Sequence, residues 1–138
     1  MKKKYLELIE VANKAKMNAF APFSNFKVGA ALLTYDGKIF TGCNIENSSF
    51  GLTICAERVA IFKAISSGST RFKAMAIISD HKGFTSPCGA CRQVLYDLAG
   101  NIEIVLATSN NRMKIQRLGA LLPFAFAGKI LKHLKKEK

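Results

Sequence analysis

The chain has 138 residues, of which 49% are hydrophobic and 22% charged, and a formal net charge of +12. This composition provides enough material for one buried core and excludes a disordered, collagen-like or coiled-coil chain. No apolar run reaches 18 residues without a charge, so we expect no membrane-spanning helix. The charged start of the chain lacks the apolar centre of a secretory signal. We therefore expect one domain over residues 1–138 in the cytoplasm, where cysteines stay reduced.

Much of the positive charge lies at the two ends of the chain. Five lysines outnumber two glutamates in residues 1–16, and five lysines outnumber one glutamate in residues 129–138. Lysine-rich helix faces in contact with water explain such a pattern, and so does weak, salt-sensitive attraction to nucleic acid. Charge by itself identifies neither a fold nor a site.

The first part of the chain predicts a helix followed by a hairpin. Apolar residues repeat with a helical period over 5–20. Strands are expected over 26–34 and 39–43, joined by a turn with Asp–Gly at its centre. The first of these strands is almost entirely apolar, as a strand buried on both faces would be.

The rest of the chain alternates helices with strands. Helices are expected over 54–66, with Thr53 as the N-cap, over 88–98 and over 124–134, and strands over 73–79, 102–108 and 112–117. This alternation predicts an α/β fold, a three-layer α/β/α sandwich with a mixed five-stranded sheet. The sheet is mixed because a hairpin joins its first two strands and helices join the later ones.

Three cysteines lie where helices are predicted to begin. Cys88 and Cys91 are three residues apart at a helix start, so both sulfurs lie on one face. Cys55 lies in the first turn of another predicted helix. A helix N-terminus lowers the pKa of a thiol, and paired thiolates at this spacing suit tetrahedral zinc. If the two helix starts converge, these cysteines form a three-thiolate zinc site.

Three protein ligands leave one tetrahedral position open, as in a catalytic zinc site. A closed structural site would need Cys43 as a fourth ligand. This cysteine lies at a predicted strand end, where a buried thiol that acts as a small apolar side chain is the simpler interpretation.

Charged residues follow these cysteines closely. Glu57 in the first turn of its helix could take a proton from metal-bound water, or it could be an ordinary charge at a helix start. Three thiolates on Zn²⁺ leave a formal charge of −1, which needs compensation. We expect at least one of Arg58 and Arg92, with Arg58 favoured, to hydrogen-bond a ligand sulfur, the alternative being an ordinary surface arginine.

The pattern Cys55-Ala-Glu57 followed by Pro87-Cys-Gly-Ala-Cys91 resembles the signature of zinc-dependent nucleoside and nucleobase deaminases. Over nearly the whole chain the sequence closely resembles the homotetrameric, zinc-dependent cytidine deaminases. The segments that carry this likeness are Phe26–Ala31, Gly42–Asn47, Cys88–Gln93 and, more weakly, Leu121–Phe126.

The resemblance implies a complete reaction. Cys55, Cys88 and Cys91 would hold Zn²⁺, and Glu57 would deprotonate the zinc-bound water. The hydroxide would then attack the pyrimidine carbon that bears the amino group, while Glu57 shuttles protons and ammonia leaves. Cytidine and 2′-deoxycytidine would become uridine and 2′-deoxyuridine, as in pyrimidine salvage.

The resemblance also implies substrate contacts. Asn44 and Glu46 match the ribose-binding pair of the family, although by themselves they could be a turn residue and an exposed loop charge. Phe26 matches an aromatic residue that lines the base pocket, or it is simply part of the strand core. The backbone N–H of Ala56, at a helix start, is expected to meet the base carbonyl.

Members of the family assemble as homotetramers in which neighbours complete each site. Phe126 matches an aromatic residue supplied to an adjacent subunit, the alternative being packing within its own C-terminal helix. Phe50 is a departure, because many relatives have tyrosine there. The Lys-rich ends are not part of the family pattern either.

Two other functions fit the same zinc chemistry. One is deamination of another aminopyrimidine nucleoside, which Asn44 and Glu46 disfavour because they would read an ordinary ribose. The other is a basic nucleic-acid-binding or editing deaminase, supported only by the charge of +12. The sequence disfavours nucleic acid as a partner, because it has no aromatic-rich basic strand for stacking bases.

Overall fold

The structure, a computed structural model, describes residues 3–128. Helices and strands alternate much as the sequence predicts, in the order α1 Lys3–Lys16, β1 Val28–Thr34, β2 Ile39–Cys43, α2 Ala56–Ser66, β3 Phe72–Ser79, α3 Gly89–Ala99, β4 Glu103–Ala107 and β5 Met113–Arg117. Short 3₁₀ helices occupy Phe50–Leu52 and Leu118–Leu121. None of the helices within residues 3–128 is long and apolar enough to cross a membrane.

The five strands form one mixed sheet in the order β2-β1-β3-β4-β5. One row of paired residues crosses it from edge to edge: Thr41, Ala31, Ala76, Val105 and Ile115. The β3–β4 pair is parallel and the other pairs are antiparallel. A helix connects the parallel pair, because parallel strands need a crossover. The predicted mixed five-stranded sheet is confirmed.

Helices cover both faces of the sheet and produce three layers. On one face α1 buries Tyr5, Leu8 and Ala12 against small and β-branched strand residues. On the other face α2 and α3 share a core with β1, β3 and β4 that includes Ala60 and Leu95. Because α2 and α3 lie on the same face, their N-termini can converge at one edge of that layer.

Two glycines allow helices to pack directly on the sheet. A Cβ atom at Gly29 would lie 2.0 Å from the carbonyl oxygen of Ala12 in α1. A Cβ atom at Gly42 would lie 2.2 Å from the carbonyl oxygen of Ala56 in α2. The second contact places the first turn of α2 directly against the end of β2.

The helix boundaries differ from the prediction at three points. The first helix ends at Lys16 rather than at residue 20. The N-cap of α2 is Cys55 rather than Thr53. Residues 124–127 do not form the start of the helix predicted over 124–134, and its part beyond Gly128 lies outside the described residues.

Candidate active site

The N-termini of α2 and α3 bring three cysteines together. Cys55 and Cys88 are the N-caps of the two helices, and both have the extended backbone typical of that position. Cys91 follows one turn into α3, and its backbone N–H donates to Cys88 Sγ over 3.4 Å. The positive ends of both helices therefore lie at Cys55 and Cys88, which favours the thiolate form of these two caps, although only Cys88 Sγ accepts a capping bond.

The geometry of the three sulfurs fits zinc. All three lie within 4.8 Å of one another, and Cys55 Sγ and Cys88 Sγ are 3.8 Å apart. Sulfurs bound to zinc at about 2.3 Å with tetrahedral angles would lie about 3.8 Å apart. Within residues 3–128 Cys43 is not part of this group. The described residues therefore offer three thiolates and leave a fourth position for another ligand.

Arg58 contacts the cysteine group and adds positive charge. Its Nη2 donates a hydrogen bond to Cys55 Sγ over 3.4 Å, the contact expected from the sequence. A hydrogen bond from Cys91 and the contact with Arg58 lower the pKa of Cys55, while donation to Cys55 raises the pKa of Cys91. Nε of Arg58 is buried without a hydrogen-bond partner among the described residues.

Glu57 presents a buried carboxyl group next to the sulfurs. Only 4% of the residue is exposed, and desolvation raises the pKa of its carboxyl group to about 7. A carboxyl group in this range can both accept and release a proton near neutral pH. Because Glu57 is the second residue of α2, the helix start that holds Cys55 also places this carboxyl group.

One cavity of about 240 Å³ connects these groups with the predicted substrate residues. Glu57 and two of the cysteines, Cys55 and Cys88, are among the residues that line it. Its walls come from loops at the ends of β1, β2 and β3 and from the start of both helices: Ser24, Phe26, Val28, Asn44, Glu46, Thr53, Cys55, Ala56, Glu57, Thr85, Ser86 and Cys88. Thr53, Thr85 and Ser86 were not predicted as site residues, since single hydroxyl residues in loops carry no distinctive sequence signal.

Asn44 and Glu46 tie the loop before β1 to the end of β2. The Asn44 amide donates to the carbonyl of Phe26 over 2.8 Å and accepts from the N–H of Val28 over 2.9 Å. Only 8% of Asn44 is exposed. Its second amide hydrogen is left for another partner. Both residues line the cavity, but each also holds the wall of that cavity in place.

The predicted aromatic residues occupy different surroundings. Phe26 lines the cavity, and Ala56, at the start of α2, is fully buried at its edge. Phe126 does not line this cavity, and 58% of it is exposed. Its carbonyl accepts from Gln93 Nε2 over 2.8 Å. Phe50 is 72% exposed and makes an edge-on contact with Phe23, with ring centroids 5.7 Å apart.

Arg92 has a structural position that the sequence did not suggest. Rather than contacting a sulfur, it donates to the carbonyl of Pro87 over 2.7 Å and to that of Leu121 over 2.8 Å. A third bond, of 2.8 Å, reaches Ser86 Oγ. Arg92 thus links the residues that precede Cys88 to the segment that leads to Phe126.

Comparison with known proteins shows which family contains a chain with this site. Residues 2–108 match the family model described as the cytidine and deoxycytidylate deaminase zinc-binding region. The chain belongs to the cytidine deaminase family. A cytidine deaminase of Sporosarcina psychrophila is 47% identical over 122 residues, which cover 88% of this chain and 90% of that protein.

Solved cytidine deaminases have the same fold. The crystal structure of the enzyme from Burkholderia pseudomallei matches with a TM-score of 0.86 and 48% identity, over 88% of this chain and 98% of the other. The Mycobacterium tuberculosis enzyme matches with a TM-score of 0.77 and 41% identity, over 88% and 96% of the two chains. Together with the three clustered thiolates, the zinc-binding family identifies Zn²⁺ as the cofactor.

Proposed function

We propose that the chain catalyses the hydrolytic deamination of cytidine and 2′-deoxycytidine to uridine and 2′-deoxyuridine, with release of ammonia. The observation that carries this proposal is the buried carboxyl group of Glu57, which shares one cavity with two members of the three-cysteine group, Cys55 and Cys88. Family membership supports the same reaction. Residues 1–138 would act as one catalytic domain.

The residues of the cavity have separate tasks in this reaction. Cys55, Cys88 and Cys91 hold Zn²⁺, which supplies Lewis-acid activation of water for hydrolysis. Glu57 accepts the proton that the attacking water loses and delivers it to the ring nitrogen next to the reacting carbon. It then carries the remaining proton of that water, from the hydroxyl now on the ring carbon, to the amino group, so that a C=O bond forms, the C–N bond breaks and ammonia leaves. Arg58 offsets the negative charge of the thiolates through its bond to Cys55.

The substrate is positioned by other residues that line the cavity. Glu46 and Asn44 bind the sugar, Phe26 packs against the base, and the backbone N–H of Ala56 donates to the base carbonyl. Each of these residues lines the cavity that contains Glu57. A free nucleoside is consistent with a cavity of about 240 Å³.

The active form is a homotetramer with shared sites. A groove of about 520 Å³ beside α2 is lined by partly exposed apolar side chains that include Ile45, Leu52 and Phe62. Burying such a patch in an interface is favourable. Phe126, exposed and outside its own cavity, would close the site of a neighbour. Light scattering should give the mass of four chains, and an active monomer would contradict this assembly.

The cellular role that fits this reaction is pyrimidine salvage in the cytoplasm. The three cysteines must stay reduced to bind the metal, and the cytoplasm is a reducing compartment that keeps cysteines in this form. Nucleosides are small, soluble substrates that such an enzyme meets in solution.

The reaction is tested by following the ultraviolet absorbance of cytidine and 2′-deoxycytidine with the purified, zinc-loaded protein. The cytosine chromophore fades as uracil forms, so no coupling enzyme is needed. We expect turnover of both nucleosides by the wild-type chain and none by Glu57→Ala. A zinc-loaded wild-type chain without turnover would refute the cytidine assignment.

A further inference from the structure

Glu46 is held by three hydrogen bonds from a single turn of the chain. The backbone N–H groups of Phe23 and Ser24 donate to its Oε1 over 2.9 and 3.1 Å. The Ser24 hydroxyl contacts Oε2 of the same carboxylate. Twenty-two residues separate the serine from the glutamate, so folding alone brings them together.

The direction of the serine contact follows from a second bond. Ser24 Oγ accepts a hydrogen bond from the backbone N–H of Phe26 over 3.1 Å. An ionised carboxylate can only accept, so the single hydroxyl hydrogen of Ser24 points at Glu46. That hydrogen bond is the leading cause of the lowered pKa of the Glu46 carboxyl group. Glu46 is therefore ionised and oriented before any ligand arrives.

The three bonds leave Glu46 one open acceptor position. A carboxylate has about four lone-pair sites, two on each oxygen. The two backbone donors fill both sites of Oε1, and Ser24 fills one site of Oε2. Both Ser24 and Glu46 line the cavity that contains Glu57. The remaining site on Oε2 is thus available to a donor inside that cavity.

We propose that Ser24 is a positioning residue for the sugar of the substrate. It holds Oε2 of Glu46 so that the one open lone pair accepts a hydrogen bond from a 2′- or 3′-hydroxyl of the sugar. This inference rests on the proposed nucleoside reaction and adds Ser24 to the residues that determine which sugars the enzyme accepts. If Ser24 only stabilised the loop, its removal would lower kcat/KM for all substrates alike. If it positions Glu46 for the sugar, its removal should matter only for substrates whose sugar carries the hydroxyl that Glu46 binds.

The test compares a substrate that carries the 2′- and 3′-hydroxyls of the sugar with one that lacks both. The specificity constant kcat/KM is measured with cytidine and with 2′,3′-dideoxycytidine, for the wild type and for Ser24→Ala. With cytidine we expect Ser24→Ala to lower kcat/KM about 10- to 100-fold, because the lost bond is to a charged partner. With 2′,3′-dideoxycytidine, which keeps only its 5′-hydroxyl and lacks both ring hydroxyls from which Glu46 would accept, the same change should have little effect.

A double-mutant cycle with Glu46→Ala gives an independent readout. If Ser24 acts through Glu46, Ser24→Ala should cost nothing further once Glu46 has been removed. Ser24→Thr keeps the hydroxyl and should stay within a few-fold of the wild type. Ser49→Ala is the matched control, because exposed Ser49 makes no side-chain capping bond. Ser24→Cys, with a much weaker donor, repeats the test should Ser24→Ala fail to fold.

The outcomes separate this inference from the reaction it rests on. Equal losses with both nucleosides, or additive losses with Glu46→Ala, would overturn the role of Ser24 while leaving the deaminase intact. A wild-type chain that turns over neither cytidine nor 2′-deoxycytidine would overturn the proposed function and this inference with it.

Discussion

Arg58→Gln tests whether Arg58 compensates the negative charge of the thiolates or merely stabilises the fold. Arg58 Nη2 lies 3.4 Å from Cys55 Sγ, and no described residue accepts a hydrogen bond from its buried Nε. Glutamine removes the positive charge and the bond to sulfur. It also removes the buried Nε, whose lack of a partner is itself unfavourable. We therefore expect weaker zinc binding and slower catalysis without a loss of stability in the metal-free chain.

The magnitude follows from the type of bond that is lost. A hydrogen bond between charged partners contributes about 1.5–3 kcal/mol. Because Arg58 is only partly buried, the lower half of that range applies, which corresponds to roughly 10- to 40-fold in zinc affinity or rate. Partners of metal ligands typically contribute about 10- to 100-fold, in agreement with this figure.

The assay measures zinc affinity by competition with a coloured chelator, and kcat/KM with cytidine. Arg71→Gln is the matched control: Arg71 is an exposed arginine 5.1 Å from the ring centre of Tyr35, so its replacement removes the same charge away from the cysteines. Unchanged zinc affinity and unchanged kcat/KM in Arg58→Gln would show that Arg58 does not compensate the charge of the thiolates. So would an equal loss in the Arg71 control.

Three further changes test the scaffold. Gly42→Ala puts a Cβ atom 2.2 Å from the carbonyl oxygen of Ala56 at the start of α2. We therefore expect thermal melting to give a Tm several degrees lower, and metal analysis to find less bound zinc. An unchanged Tm would be incompatible with that contact. Arg92→Ala frees the Pro87 carbonyl, so kcat/KM should fall, and full activity would show that the link is dispensable. Tyr5→Phe removes a 2.6 Å bond to Glu103 and should lower the free energy of unfolding by about 1–2 kcal/mol at pH 7. Burial raises the pKa of Tyr5 in the folded chain, so above about pH 10 only the unfolded chain loses the phenol proton. The difference in the free energy of unfolding between the wild type and Tyr5→Phe should therefore shrink as the pH rises. Urea unfolding at pH 7, 9 and 11 checks this, and a difference independent of pH would contradict it.

The strands could be predicted because burial imposes a local pattern on them. The strand predicted over 73–79 is observed over Phe72–Ser79, since its apolar run is buried on both faces. The end of the first helix could not be predicted in the same way. Residues 17–19 continue as turns, and the N–H of Phe20 then donates to the carbonyl of Asn44 over 2.9 Å. This pairing with a distant segment stops the helix, and local periodicity does not contain it.

In the site, too, local sequence patterns predicted some residues, whereas contacts between distant segments could not be predicted. Cys88 and Cys91 could be placed on one helix face from their spacing, and their meeting with Cys55 followed once α2 and α3 lay on one side of the sheet. The contacts of Ser24 and Arg92 could not be foreseen. They join loops that are distant in the sequence, and isolated polar residues in loops follow no periodicity. Cavity-lining Thr85 escaped prediction for the same reason.

The central claim is that Glu57, beside a zinc ion held by three cysteines, moves the protons of cytidine deamination. Its most direct test is the initial rate of absorbance loss with cytidine for the wild type and for Glu57→Gln, each first shown to hold about one zinc ion per chain. We expect rapid loss of absorbance with the wild type and a rate lower by several orders of magnitude with the zinc-loaded variant. Comparable rates from the two proteins would contradict this claim.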